Sequence, residues 1–299
     1  MKGAKLHGWL VLDKPVGLTS VQALGRARRL LGGGKAGHGG TLDPLASGVL
    51  PLAFGEATKI IAHVMDGTKI YEFTVLWGQQ RSTDDAEGEI IAVSDARPTE
   101  KEVLAALPFF VGDILQTPPA FSALKIAGQR AYDLARKGQE VDLRPRKVQI
   151  DRLDLIKADK EGATLRLACG KGTYVRALAR DLALKLGSLG YVGALRRLAA
   201  GNFGIAQAIS VEKLEELAHK GAAQTALLSV GSALDDIPGL TLTASEAQTL
   251  RNGNRLLLRR DQLHLIKEPL IAAFYQEEPV ALVRVENGAL CVVRGFRFS

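Results

Sequence analysis

The 299-residue chain has little cysteine, only Cys169 and Cys291. The two lie too far apart for a metal-binding spacing and are too few for a disulfide framework, so a reduced, cytoplasmic setting is expected. Long apolar runs are lacking as well. Near the N-terminus the only one is Trp9-Leu10-Val11-Leu12, too short for a signal peptide, and nothing approaches the length of a membrane-spanning helix. The expectation is a soluble protein with no membrane partner. The five histidines (His7, His38, His63, His219, His264) do not cluster. There is no H-E-x-x-H, no G-x-S-x-G and no P-C-x-x-C, which excludes the zinc-protease, nucleophile-elbow and zinc-deaminase chemistries. Gly32, Gly34 and Gly37 do fit G-x-G-x-x-G, but they follow a helical stretch rather than a strand, and Gly34-Lys35 is followed by Ala36, so neither nucleotide-binding motif stands. What remains is chemistry without metal or cofactor.

Apolar residues make up 46% of the chain, ample for a sizeable core. Length favours one large domain with a small one, divided near Asp235-Asp236-Ile237-Pro238-Gly239, that is 1–236 and 237–299. A formal net charge of +7 points to a polyanionic partner. The arginines gather: Arg26, Arg28 and Arg29 with Lys35; Arg144 and Arg146 with Lys147; Arg196 and Arg197; Arg251, Arg255, Arg259 and Arg260. Any one of these clusters, taken alone, is equally a solvated face.

The stretch around which the chain is organised is Gly37-His38-Gly39-Gly40-Thr41-Leu42-Asp43-Pro44-Leu45-Ala46-Ser47-Gly48-Val49-Leu50-Pro51. Its glycines permit positive φ and close approach to another molecule. Pro44 fixes its own φ and pushes Asp43 towards an extended conformation. Two readings stand. Asp43 is a reactive carboxylate held in fixed geometry, or it is the N-cap of a helix with Pro44 at the first position.

Elsewhere the pattern predicts strands over 7–13, 50–54, 71–77, 148–155 and 164–169. Residues 71–77 alternate with Tyr71, Phe73, Val75 and Trp77 on one face. Helices are expected over 20–31 (Thr19 or Ser20 as cap; Val21, Leu24, Ala27 and Leu31 inward), 99–107, 132–137, from Thr173, from Ser210 and from Thr243. Residues 78–88 read as a polar loop. Three strands close the chain, the last two joined at Asn287-Gly288, a hairpin signal. Arg176 falls in the first turn of its helix, where a cation opposes the helix dipole unless an anion accompanies it. A two-pronged contact with Asp43 would supply that anion.

The long glycine-rich loop, Asp13-Lys14-Pro15-Val16-Gly17-Leu18-Thr19-Ser20, Lys171-Gly172-Thr173-Tyr174-Val175-Arg176 and Gly193-Ala194-Leu195-Arg196-Arg197-Leu198 together resemble the signatures of the TruB family, the pseudouridine synthases of the tRNA T-loop. The resemblance spans residues 7–204 and 240–298. It implies an α+β fold: a mixed, mainly antiparallel sheet with flanking helices, plus a small β-rich PUA-like tail that binds RNA. It implies isomerisation of uridine to pseudouridine at position 55, with Asp43 as nucleophile at ribose C1′ or uracil C6. Arg176 pairs with Asp43, and Tyr71 stacks on the flipped base. His38, Tyr174, Leu195 and Lys14 are implied to hold the RNA or buttress the loop. Arg196 and Arg197 are implied to face the RNA, and the middle section to form a flap over it. The partner is the T-arm stem-loop of tRNA, bound by a monomer. Gly39 stands where relatives usually carry Thr, Ser47 where Thr is common, and Arg81-Ser82 where they carry Thr-Asp, while Asp85 and Gly88 match. A second class of reading is an RNA chaperone that grips and remodels tRNA, with catalysis secondary or lost. An intact Asp43, Tyr71 and Arg176 set favours the enzyme.

Overall fold

The computed structural model describes residues 6–121, 125–126, 129–130 and 143–298. The helix expected over 132–137, and with it most of the implied flap, lies outside the described residues.

In chain order the strands are β1 (Gly8–Lys14), β2 (Ala36–His38), β3 (Ala46–Phe54), β4 (Lys69–Trp77), β5 (Gln79–Arg81) and β6 (Ile90–Val93). Next come β7 (Gly112–Gln116), β8 (Lys125–Ile126), β9 (Gln129–Arg130), β10 (Arg146–Ala158) and β11 (Gly162–Cys169). After these run β12 (Gly190–Ala200), β13 (Phe203–Gly204), β14 (Ile209–Ser210), β15 (Gly239–Thr241), β16 (Leu256–Leu257), β17 (Ile271–Tyr275), β18 (Glu278–Glu286) and β19 (Ala289–Gly295). A large sheet runs β14-β1-β3-β12-β4-β11-β10-β7, with β13 on β12 and β2 on β3; the tail makes a second sheet, β15-β17-β18-β19-β16. Pairing is antiparallel except for β1 with β14, β12 with β3 and β15 with β17. This is the mixed, mainly antiparallel α+β arrangement that the resemblance implies.

The large sheet is covered on both faces, which is why β3 reads as a continuous apolar run rather than an alternation. β1 shows the division. Leu10 and Leu12 enter one core with Ala23, Ala27, Leu178 and Leu182 from the Ser20–Leu30 and Val175–Lys185 helices. Trp9 and Val11 enter a second core with Phe203, Val230 and Leu234, which Ala272, Leu282 and Phe296 of the tail complete. The tail therefore has its own sheet but shares a core with the body. Each large side chain withdrawn from such a cluster costs about 1.5–3 kcal/mol. A chain ended at Pro238 is accordingly expected to aggregate or to lose its cooperative thermal transition, as read by circular dichroism and gel filtration. A monomeric, cooperatively melting fragment would show instead that the body folds alone.

Local signals account for most of the elements. Thr19, Thr99 and Thr243 each form a capping box with the residue three positions on. Asn287 and Gly288 both take positive φ in the final hairpin. Two expectations change. The first helix turns Ser20, Ala23, Ala27 and Leu31 inward, while Val21 is 69% exposed. Small residues let the helix sit close to the sheet, and the Ser20 hydroxyl is buried because it is hydrogen-bonded rather than because it is apolar. The Val175–Lys185 helix is preceded by Tyr174, not Thr173, as its cap residue. The Tyr174 N–H is taken by Gln116 Oε1 at 2.8 Å, so a side chain from β7 replaces the local cap.

Candidate active site

The register of the central strands assembles the site. Within β12, Leu195 lies between Ala46 of β3 and Phe73 of β4, and Arg197 between Gly48 and Tyr71. Gly48 has φ +101°, and a Cβ there would lie 2.1 Å from the Arg197 carbonyl; only glycine permits this approach of the two strands.

Asp43 sits in the turn leading into β3. The Ala46 N–H donates to the Asp43 carbonyl at 3.1 Å, and a strand follows instead of a helix, so the N-cap reading does not apply. Pro44 occupies the second position of that turn, where its fixed φ belongs. Three anchors fix the loop. The Ser20 hydroxyl accepts from Leu42 N (2.8 Å) and donates to Leu42 O (3.0 Å). Lys14, fully buried, donates from Nζ to the carbonyls of Pro15 (2.8 Å), Leu18 (2.7 Å) and Pro44 (3.4 Å). Arg197, 1% exposed, donates to the carbonyls of Val49 (2.7 Å), Gly40 (3.1 Å) and Thr41 (3.5 Å). Arg197 thus faces the loop from within and not the surface, contrary to the expectation for it; Arg196 reaches the surface and pairs with Asp13 at 2.7 Å.

Arg176 Nε meets Asp43 Oδ2 at 3.0 Å. Its terminal nitrogens are used elsewhere, which replaces the expected two-pronged grip. Nη1 reaches Asp85 Oδ2 (3.3 Å) and the Thr83 carbonyl (2.9 Å), and Nη2 the Phe121 carbonyl (2.9 Å). Asp85 is nearly buried, while the Asp43 side chain is 36% exposed. Asp85 therefore compensates the burial of the guanidinium, and Asp43 is left accessible. The 78–88 loop is thus more than a solvated connection. Asp84 pairs with Arg180 at 2.9 Å, and Asp85 Oδ1 takes the Thr83 hydroxyl at 2.5 Å and Glu87 N at 3.0 Å. The departures Arg81 and Ser82 are absorbed there. Arg81 donates to the Gly88 carbonyl (3.0 Å) and lies over the Tyr191 ring, while the Ser82 hydroxyl accepts from Glu89 N (3.1 Å). Ser47 meets Arg196 Nη1 at 3.3 Å.

A cavity of about 340 Å³ opens onto Asp43, and Tyr71, Tyr174, Arg176, Leu195 and Arg197 line it. That volume lies at the small end of the usual ligand-pocket range. Of the residues singled out in the sequence, Lys14 stands behind the loop and His38 lies outside the lining, its Nδ1 buried with no partner among the described residues. Burial raises the Tyr71 hydroxyl above its ordinary pKa, so it remains a neutral donor. Burial and then the Arg197 charge lower His38. Lys69 is also lowered, chiefly by burial; it is held by the carbonyls of Met65 and Gly67. Lys14, Lys69 and Arg197 are all bound to carbonyls, so their charge is not cancelled locally and the cavity favours negative charge. At the rim Lys171 and Asp66 pair at 2.9 Å.

Burial pushes Lys14 down to about 8, with the Asp43 charge opposing the shift. Above that pH the amine has two N–H groups for three carbonyls, and the loop loosens. The single-turnover rate is expected to fall as pH rises through about 8, and Lys14→Met is expected to be slow throughout, without this limb. Stability should move the other way. Between about 8 and the ordinary 10.5 the unfolded chain holds the proton that the folded chain has released, so this group's contribution rises with pH. Parallel pH series of rate and thermal melting check both directions.

Residues 28–175 match the TruB family pseudouridylate synthase (N terminal domain), and residues 176–237 match the tRNA pseudouridylate synthase B C-terminal domain. The tRNA pseudouridine synthase B of Caulobacter vibrioides is 47% identical over 100% of this chain and 98% of that protein. That of Bradyrhizobium diazoefficiens is 53% identical over 85% of this chain and 75% of its own. Among solved structures, "Crystal Structure of a Cbf5-Nop10-Gar1 Complex" superposes with a TM-score of 0.74 over 98% of this chain and 85% of that one, at 22% identity, a likeness of fold alone. Two matched segments that meet inside the site, between Val175 and Arg176, and relatives alike from end to end leave one conclusion: the chain belongs to the TruB family of pseudouridine synthases.

Proposed function

We propose that this protein converts uridine to pseudouridine in the T-loop of tRNA, at position 55, with Asp43 as the nucleophile. The observation that carries the reading is an accessible carboxylate, fixed in a proline turn at the cavity and paired with a buried arginine that a second carboxylate already compensates. A carboxylate so placed can attack an anomeric carbon or add to an electron-poor ring. The N1–C1′ bond breaks with its electron pair staying on the uracil. The ring turns, C5 bonds to C1′, and the proton lost from C5 is balanced by one gained at N1. Tyr71 offers a ring to stack on the base and a neutral hydroxyl to donate. Tyr174 and Leu195 complete the wall, and Lys14 buttresses the loop. His38, on the strand leading into the loop, contacts the RNA that carries the flipped nucleotide.

Flipping is cheapest in an unpaired loop, which favours the T-arm stem-loop. The basic surface supplies phosphate contacts, and the tail adds RNA affinity. The protein works as a monomer in the cytoplasm; among the described residues no helix is long and apolar enough to cross a membrane. Isomerisation changes neither composition nor oxidation state, so the test is simple. Unmodified tRNA incubated with the purified protein, without metal or cofactor, should yield one pseudouridine on nucleoside analysis, mapping to the T-loop. RNA that is bound and refolded with its uridines unchanged would give the chaperone reading instead.

A further inference from the structure

Four arginines surround Asp43 or the loops that deliver it, and three of them have carboxylate partners. Arg176 has Asp43 and Asp85, Arg180 has Asp84 and Asp181, and Arg196 has Asp13. Arg197 is different. It is 1% exposed and lines the cavity, yet among the described residues no carboxylate pairs with it. Its donors go to the carbonyls of Gly40 and Thr41 before Asp43 and of Val49 after it. A buried guanidinium without a counter-charge is costly, and hydrogen bonds to carbonyls satisfy its donors without cancelling its charge. The position is also forced by the fold: Arg197 lies in register with Gly48 on one side and Tyr71 on the other.

We propose that Arg197 is a positioning residue of the reaction: it clamps both flanks of the Asp43 turn, and its uncancelled charge stabilises the negative charge that the uracil ring carries in mid-reaction. The inference rests on the isomerase reading above. It does not depend on where Asp43 attacks. Attack at C1′ expels a uracil anion, and attack at C6 makes an enolate; either way the electron pair spreads onto the ring carbonyl oxygens. A cation fixed before the reaction begins stabilises that state without reorganisation. The field of Arg197 already reaches the titratable groups around it. It lowers Lys14 of β1, His38 of β2 and Lys69 of β4, and it opposes the rise of Tyr71.

The test compares Arg197→Met, which removes charge and clamp, with Arg197→Lys, which keeps the charge and loses most of the clamp. Single-turnover modification of a T-arm stem-loop at saturating RNA should fall about 100-fold or more in Arg197→Met, the scale of losing a preorganised electrostatic contact. In Arg197→Lys it should fall about 10-fold through misplacement of the loop. The RNA dissociation constant should change less than about 3-fold in both, since no phosphate reaches a buried side chain. Two further readouts report the charge of Arg197 rather than its hydrogen bonds. His38 should titrate at higher pH in Arg197→Met than in the parent or in Arg197→Lys, by NMR. The alkaline limb set by Lys14 should move up in Arg197→Met alone. If the Met variant does not fold, the Lys variant carries the test: a parent-like rate overturns the proposal. A folded Met variant with parent-like rate or unmoved titrations overturns it too. A parent protein that makes no pseudouridine would instead remove the isomerase reading itself.

Discussion

An Asp43→Asn chain is expected to fold, to bind tRNA at least as tightly as the parent, and to form no detectable pseudouridine at any RNA concentration. The turn does not need the carboxylate. Asn is as well suited as Asp to the first position of such a turn, and the hydrogen bond that closes it uses the Asp43 backbone carbonyl. The ion pair to Arg176 is lost, but Arg176 keeps Asp85 and two carbonyls. Because the Asp43 side chain is more than a third exposed, the loss in stability should be about 1 kcal/mol or less. The chemistry has no such reserve, since an amide oxygen does not form the covalent bond that a carboxylate forms. Binding should hold or tighten because a negative charge has left a site that receives a polyanion. Single-turnover assays and a thermal melt, run side by side, separate the outcomes. A folded Asn variant that isomerises near the parent rate would end the case for Asp43.

How far the site is legible in the sequence depends on the distance over which each contact acts. The capping boxes, the alternation of β4 and the Asn287-Gly288 hairpin are local, and they can be read from a few neighbouring residues. So can the importance of Asp43, because glycine, proline and apolar anchors crowd one stretch of chain. The contact of Arg176 with an anion follows from its awkward place at a helix N-terminus. Arg197 is another matter. Its hydrogen bond to Val49 joins residues 148 positions apart, and in one dimension it is indistinguishable from its surface neighbour Arg196. In the sequence Gly48 belongs to the glycine-rich loop, ahead of the strand expected over 50–54, and nothing local says that the Arg197 strand approaches it there. Asp85 matches the family pattern, but its pairing with Arg176 is hidden for a related reason. A polar loop of Ser, Thr, Asp and Gly looks solvated, and only folding reveals that Arg176 and Arg180 draw its two aspartates into the interior. The tail was legible as an element and not as a dependent, because sharing a core with Trp9 and Phe203 leaves no local trace.

Removing Arg176 is expected to damage both stability and turnover, and a second substitution should pull the two apart. In Arg176→Met the Asp85 carboxylate stays nearly buried with its cation gone; it keeps the Thr83 hydroxyl and Glu87 N–H, while the carbonyls of Thr83 and Phe121 lose a donor. Breaking a buried pair from one side costs about 3–5 kcal/mol, enough to bring a domain of ordinary stability close to unfolding. Turnover should fall at least about 1000-fold among molecules that remain folded, because Asp43 loses the group that fixes its geometry. Adding Asp85→Asn removes the stranded charge and can keep the bond to Glu87 N–H, so the double variant should recover most of the lost stability. It should recover none of the rate, since Asp43 still lacks its partner. The two residues are in contact, so a double-mutant cycle is expected to show strong coupling in melting and almost none in turnover. Restoration of activity along with stability would mean that Arg176 serves the fold alone, and that Asp43 needs no cation beside it.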